Sequence, residues 1–158
     1  MRRLRILFVC TGNTCRSPMA ELQARARAAD VGLAGVEFES AGTAATEGAP
    51  ASPPARRVAA ACGFDLDSHR SRPLTRERVQ SADLIVAMTS RHRAAVERLD
   101  PETPVILASS VLPDGHPGRG RDLPDPFGGD DAVYRATWET ISETVEALLA
   151  TIARERSR

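Results

Sequence analysis

Leu4–Glu21 reads LRILFVCTGNTCRSPMAE. It opens with an apolar run, Ile6, Leu7, Phe8 and Val9, of the length and composition of a buried strand. It closes with Ser17 and Pro18 ahead of Met19 and Leu22. That order predicts a helix start at Pro18: a hydroxyl cap, then proline in the first turn, where its missing N–H costs nothing. A strand that turns through a short glycine-containing loop into a helix N-terminus builds an anion site, because unpartnered backbone N–H groups converge there. Arg16 adds a planar, permanently charged fork that matches phosphate oxygens. Cys10, at the strand end, faces the same cup. Thr11, Gly12, Asn13, Thr14, Cys15, Arg16 and Ser17 are the expected phosphate-binding residues.

The nucleophilic form of cysteine is the thiolate, which helix N-termini and nearby cations favour. Cys10 has the helix end, the loop amides and Arg16 around it, and the Ser17 hydroxyl is placed to donate to its sulfur. These residue types point to in-line attack of Cys10 on phosphorus, giving a phosphocysteine intermediate. The loop amides and Arg16 then hold the equatorial oxygens through the transition state. A bare Cys-x5-Arg is a weak signal; CTGNTCRSP directly after an apolar strand is a strong one. The alternative is a buried cysteine followed by a tight turn. The motif resembles the phosphate loop of the low-molecular-weight protein tyrosine phosphatase family.

Composition sets the frame. The chain has 158 residues and 42% hydrophobic content, enough for one domain, residues 1–158, around one core. Its 21 basic and 21 acidic residues balance to a net charge of 0, which offers no general attraction to nucleic acid or anionic membrane. All the basic residues are arginine, a compositional bias rather than a functional signal. Three cysteines cannot all pair within one chain, and their spacing matches no zinc pattern. A reducing cytoplasm fits best. Arg2, Arg3 and Arg5 precede an apolar run too short for a signal peptide or a membrane span.

Along the chain, Met19, Leu22, Ala26 and Ala29 recur at helical spacing and predict the inward face of a helix from Pro18 to about Asp30. Val36–Ser40 reads as a half-exposed strand. Ser40-Ala41-Gly42-Thr43 follows, similar to a tetrapeptide that ends the second strand in the family. Ser52-Pro53-Pro54 starts a helix that Gly63 ends, with Val58, Ala61 and Cys62 facing inward. Phe64–Pro73, with Asp67, His69, Arg70 and Arg72, is irregular, and reads equally as a solvated loop or a substrate-contacting one. Thr75–Gln80 is a short capped helix, Ala82–Met88 an apolar strand, and Thr89-Ser90 the cap of a helix ending before Pro101. On that helix His92 is expected to face solvent. Pro104–Leu107 completes four strands. His116 is expected to be inert. Tyr134, Trp138, Ile141, Val145, Leu148 and Ile152 form one apolar stripe on a final helix from about Asp130 to Arg154, beyond which the chain is expected to fray. Strands alternating with helices predict an α/β domain: a four-stranded parallel sheet flanked by helices, with the phosphate-binding loop between first strand and first helix.

A second segment, Val111–Asp130, is a long Gly-, Pro- and Asp-rich loop, the kind that tends to be functional. It contains LPDPFGGD, residues 123–130. The family carries an Asp-Pro-aromatic motif at this place, so the resemblance implies that Asp125 is the general acid and Phe127 borders the substrate. Breaking a P–O or P–N bond leaves charge on the departing atom, which a nearby carboxylic acid neutralises. Asp125 can then activate water against the phosphocysteine. Read alone, Asp125-Pro126 is a simple turn. Asp122 and Asp130 are weaker candidates for orienting this loop.

Two departures bear on substrate. The tyrosine-specific members usually carry Ile or Leu where this chain has Thr14, and a second aromatic where it has Gly128. A hydroxyl gained and a ring lost make the rim more polar, which suits the thin stem and polar guanidine of phosphoarginine. CTGNTCRS, LIVAMT and DPFGG look like the protein arginine phosphatase branch of the family. Phosphorylated proteins are the implied partners, phosphoarginine the leading substrate and phosphotyrosine the alternative. Cys15 reads either as a redox partner of Cys10 or as a thiol packed under the loop. Arsenate reductases share the loop, but the thioredoxin-coupled ones need a further cysteine pair and only Cys62 remains. A non-catalytic phosphopeptide-binding module is a further alternative that leaves Cys10, Arg16 and Asp125 unexplained. No metal or cofactor is implied, and oligomeric state is not legible.

Overall fold

The computed structural model describes residues 2–158; Met1 lies outside the described residues. Four strands, β1 (Leu4–Cys10), β2 (Val36–Gly42), β3 (Leu84–Ala87) and β4 (Val105–Leu107), form one parallel sheet in the order β2-β1-β3-β4. Helices α1 (Arg16–Asp30), α2 (Pro53–Ala61), α3 (Arg76–Ser81), α4 (Ser90–Leu99) and α5 (Asp131–Arg156) flank it, and a 3-10 turn at Ala108–Val111 follows β4. This is the α/β domain expected from the sequence.

β1 is paired on both sides, to β2 and β3, and its side chains alternate between the two faces. Ile6, Phe8 and Cys10 join the core beneath α1 and α5, while Leu7 and Val9 join the cluster of Val79, Ile85 and Val96 on the α3 and α4 side. Burial on both faces explains why the strand is a continuous apolar run instead of an alternating one. Phe8 stacks on Phe38 of β2 with ring centroids 6.2 Å apart. Parallel pairing brings all strands to the same carboxyl edge, and there Cys10 lies in register with Gly42. The stripe on α5 is buried as expected, Tyr134 at 1% exposure and Trp138 at 5%. Phe64 meets Trp138 edge-on at 5.2 Å. Among the described residues no helix is long and apolar enough to cross a membrane.

Several expectations are corrected. α1 begins at Arg16, not Pro18, and its N-cap is Cys15 without a side-chain cap; the Ser17 hydroxyl is bonded elsewhere. Its buried face runs through Ala20, Ala24 and Ala28, whereas Ala26 is half-buried and Ala29 exposed. α1 packs against both β2 and α5, and small side chains at four-residue spacing admit that close approach. On α2, Ala55, Val58 and Ala59 are buried; Ala61 is exposed and Cys62 half-buried. Glu155 and Arg156 remain helical rather than frayed. His116 accepts from the Gly118 N–H through Nδ1 at 2.9 Å and meets Glu143 of α5 at 2.5 Å, so it ties the loop after the 3-10 turn to α5.

His92 is only 3% exposed, not solvent-facing. The first turn of α4 is tucked against the loop after β1, so a helix count on α4 alone misses what covers it. Burial, with the Arg16 charge second, lowers the His92 pKa to about 4. His69 is lowered too, chiefly by burial, although its bond to the Asn13 carbonyl opposes the shift.

Two outcomes follow. A Cβ on Gly42 would lie 2.4 Å from the Thr11 carbonyl oxygen and 2.9 Å from the Asn13 nitrogen. Gly42→Ala should cost about 1–3 kcal/mol in urea denaturation, since neither neighbour is a flexible side-chain end. The unfolded chain protonates a histidine near a pKa of about 6.5. The folded chain holds His92 neutral down to about 4. Between these values the unfolded state binds more protons, so the stability present above the unfolded pKa is lost as pH falls toward the folded one. Unfolding midpoints should decline over that window, and more shallowly in His92→Gln.

Candidate active site

The loop between β1 and α1 encloses a cleft of about 270 Å³. Cys10, Thr11, Gly12, Thr14, Cys15 and Arg16 line it from the loop, and Asp125 and Phe127 from the opposite side. The backbone N–H groups of Gly12, Asn13, Thr14, Cys15, Arg16 and Ser17 donate to no protein acceptor among the described residues. Unpaired amides at a helix N-terminus attract anions. The larger neighbouring cavity, about 320 Å³ between Phe8, Met88, Leu123 and Ile141, is lined mostly by apolar side chains and holds no cysteine, so the thiol chemistry belongs to the smaller cleft.

The side chains of Asn13 and Ser17 turn away from the cleft and are fully buried behind it, while their backbone N–H groups belong to the unpaired run. Asn13 adopts a left-handed backbone, φ 55°, which an asparagine tolerates better than most residues. Its side-chain amide donates to Ser17 Oγ at 2.8 Å and to Ser40 Oγ at 2.9 Å, and its Oδ1 accepts from the Arg72 N–H at 3.0 Å. Ser40 donates to Glu21 Oε1 at 2.6 Å, and Glu21 pairs with Arg25 at 2.8 Å. Ser17 Oγ lies 2.9 Å from Cys10 Sγ. Because Ser17 Oγ already accepts from Asn13, its own proton is left for the sulfur. The network thus orients a donor at Cys10 from a carboxylate buried beneath the loop.

The opposite wall comes from the loop before α5. Arg16 Nη1 donates to the Leu123 carbonyl at 2.9 Å, and Arg16 Nη2 stands 3.7 Å from Asp125 Oδ2. Asp125 Oδ1 accepts from the Phe127 N–H at 3.0 Å, so the turn holds its own carboxylate. Half the surface of that side chain stays open to solvent. Phe127 is 81% exposed at the rim. Asp122 accepts from the N–H and hydroxyl of Ser90 at 2.8 and 2.7 Å, and Asp130 caps α5 through the Val133 N–H at 3.0 Å. These two aspartates anchor the loop and do not line the cleft.

Cys15 Sγ lies 3.2 Å from Ser52 Oγ and 3.3 Å from Tyr134 Oη, packed under the loop. Burial, with the bond to Cys15, raises the Tyr134 pKa to about 12. All three cysteines are free thiols. His69 reaches the Asn13 carbonyl at 2.7 Å, so the irregular basic segment clamps the loop from below.

Glu21, Ser40, His69 and Arg72 are the supporting residues that sequence reasoning missed or left open. Glu21 and Arg25, four apart on α1, look like a surface pair. Only the buried register of β2 against β1, which puts Ser40 beneath Asn13, marks Glu21 as interior.

Comparison with known proteins agrees with this geometry. A profile of the low molecular weight phosphotyrosine protein phosphatase family matches residues 5–158. A protein-arginine-phosphatase of Geobacillus stearothermophilus is 39% identical over 152 residues, 96% of this chain and 98% of its own. A low molecular weight protein-tyrosine-phosphatase of Streptomyces coelicolor is 38% identical, over 94% of this chain and 93% of its own. Among solved structures, a cysteine-to-serine mutant of the YwlE arginine phosphatase, with its active-site serine phosphorylated, superposes with a TM-score of 0.88 at 34% identity, over 98% of this chain and 99% of that one. The phosphate-shaped loop, the arginine folded across it and the match along almost the whole length lead to one conclusion: the chain belongs to the low molecular weight phosphotyrosine protein phosphatase family.

Proposed function

We propose that this protein hydrolyses phosphorylated protein side chains through a phosphocysteine on Cys10, with phosphoarginine as the preferred substrate, in a reducing cytoplasm. The observation that carries the reading is the run of unpaired amides from Gly12 to Ser17 around one sulfur, with the Arg16 guanidinium beside it.

Cys10 sulfur attacks phosphorus in line, and the bond from phosphorus to the leaving nitrogen breaks. Asp125, on the far wall, gives its proton to that nitrogen. The amides and Arg16 hold the equatorial oxygens, where preorganised donors act most strongly on the transition state. Ser17 donates to the sulfur and so favours its departure in the second step. There Asp125 takes a proton from water, whose oxygen attacks phosphorus and releases inorganic phosphate and the free thiolate.

Preference for phosphoarginine rests on the rim. Thr14 borders the cleft with a hydroxyl, Asp125 offers a carboxyl oxygen as acceptor to guanidine N–H groups, and Gly128 adds no second ring beside Phe127. The 39% relative named for arginine phosphatase activity supports the same choice. Phosphotyrosine is the second reading, favoured by the exposed Phe127 ring and by the 38% relative named for tyrosine phosphatase activity.

Cys10→Ser should abolish turnover, and Asp125→Asn should lower kcat by about two to four decades. An unchanged rate in Asp125→Asn moves acid catalysis elsewhere. Paired kinetics on phosphoarginine and phosphotyrosine peptides decide the substrate. The wild-type kcat/KM should favour phosphoarginine, and Thr14→Ile should shift the ratio toward phosphotyrosine. A wild-type preference for phosphotyrosine reverses the assignment.

A further inference from the structure

The reaction as derived leaves His92 without a part, yet it sits against the cup. Its Nε2 lies 2.8 Å from Thr11 Oγ1 and its Nδ1 3.0 Å from Thr89 Oγ1. Thr11 Oγ1 also accepts from Arg16 Nη2 at 3.4 Å. Either tautomer of a neutral ring closes this chain, donating to one hydroxyl and accepting from the other. In both cases the Thr11 oxygen is fixed.

Arg16 is therefore held on both arms of its fork, Nη1 by Leu123 and Nη2 by Thr11. Both supports lead back to the segment Met88–His92. The Leu123 N–H donates to the Met88 carbonyl at 3.0 Å, Ser90 holds Asp122, and His92 holds Thr11. One corner, the end of β3 and the first turn of α4, thus ties the phosphate loop to the loop that carries Asp125.

We propose that His92 is a positioning residue for the phosphate cup: it fixes the Thr11 hydroxyl on which one arm of Arg16 rests, and so aims the guanidinium at bound phosphate. The proposal rests on Cys10 and Arg16 being the phosphoryl-transfer site. His92 touches neither substrate nor sulfur; it acts through Thr11. A planar fork tolerates little misalignment, and a displacement of about 1 Å in such a site costs on the order of a hundredfold in rate.

The test compares His92→Leu, His92→Gln, Thr11→Val and the pair His92→Leu/Thr11→Val. It reads kcat and KM on a phosphoarginine peptide and an aryl phosphate, and inhibition by inorganic phosphate. His92→Leu should lower kcat/KM roughly tenfold to a hundredfold and weaken phosphate inhibition. His92→Gln, whose amide reaches about as far as Nε2, should recover most of the loss. Because both single changes cut one chain, the pair should be no worse than the worse single variant. Unchanged kinetics and phosphate inhibition in a folded His92→Leu overturn the proposal, as do equal losses in His92→Gln or losses that multiply in the pair. Should His92→Leu fail to fold, Thr11→Val, at an exposed position, carries the same prediction. Calorimetric binding of inorganic phosphate to Cys10→Ser, with and without His92→Leu, reads positioning apart from turnover. Loss of turnover in Cys10→Ser separately tests the phosphatase reading.

Discussion

A loop that offers its own amides to a ligand gives up the hydrogen bonds that would otherwise hold it in shape. Buried polar groups are costly to leave unpaired, so the loop needs its support from elsewhere. Here the support is the side chain of Asn13, which turns inward from a left-handed backbone and bonds Ser17, Ser40 and Arg72 at once. With Asn13 holding the loop from behind, the amides are free to face the cleft. The same contacts orient Ser17 toward the sulfur, so the loop's shape and the nucleophile's environment have one cause.

That arrangement depends on the sheet. β1 lies between two partners and has both faces buried, which makes its carboxyl end a fixed point. Gly42 ends β2 beside Cys10 and leaves room for the Thr11 carbonyl where any side chain would collide. Ser40, two residues earlier on β2, faces Glu21 of α1. Strand register, helix placement and loop support therefore meet within a few residues of the sulfur.

The sequence made much of this legible because its signals were local. An apolar run, a glycine-containing turn, an arginine and a proline mark the strand, cup and helix of Leu4–Glu21, and the α5 stripe from Tyr134 to Ile152 is unambiguous in its period. What stayed hidden depends on partners distant in the chain. His92 faces solvent on a helix drawn alone and is buried only because α4 abuts the loop after β1. Asn13 and Ser17 belong to the loop motif, yet nothing local says that their side chains turn away from the cleft. Ser17 resembles a cap and so points to a helix start at Pro18, yet its hydroxyl is committed to Cys10 and Asn13 and α1 begins at Arg16. Asp125 was reachable only through resemblance, since an Asp-Pro pair alone signals a turn.

Cys10 is 2% exposed at the bottom of its well, and Phe127, 81% exposed, stands at the lip. Depth of this kind acts as a gauge of length. A phosphoryl group has to descend past that lip before phosphorus comes within bonding range of sulfur, so the length of the stem that carries it counts. A longer stem, whether a methylene chain or a phenyl ring, spans more of that depth. The height of that lip follows from where β1 stops and where the loop before α5 carries Phe127.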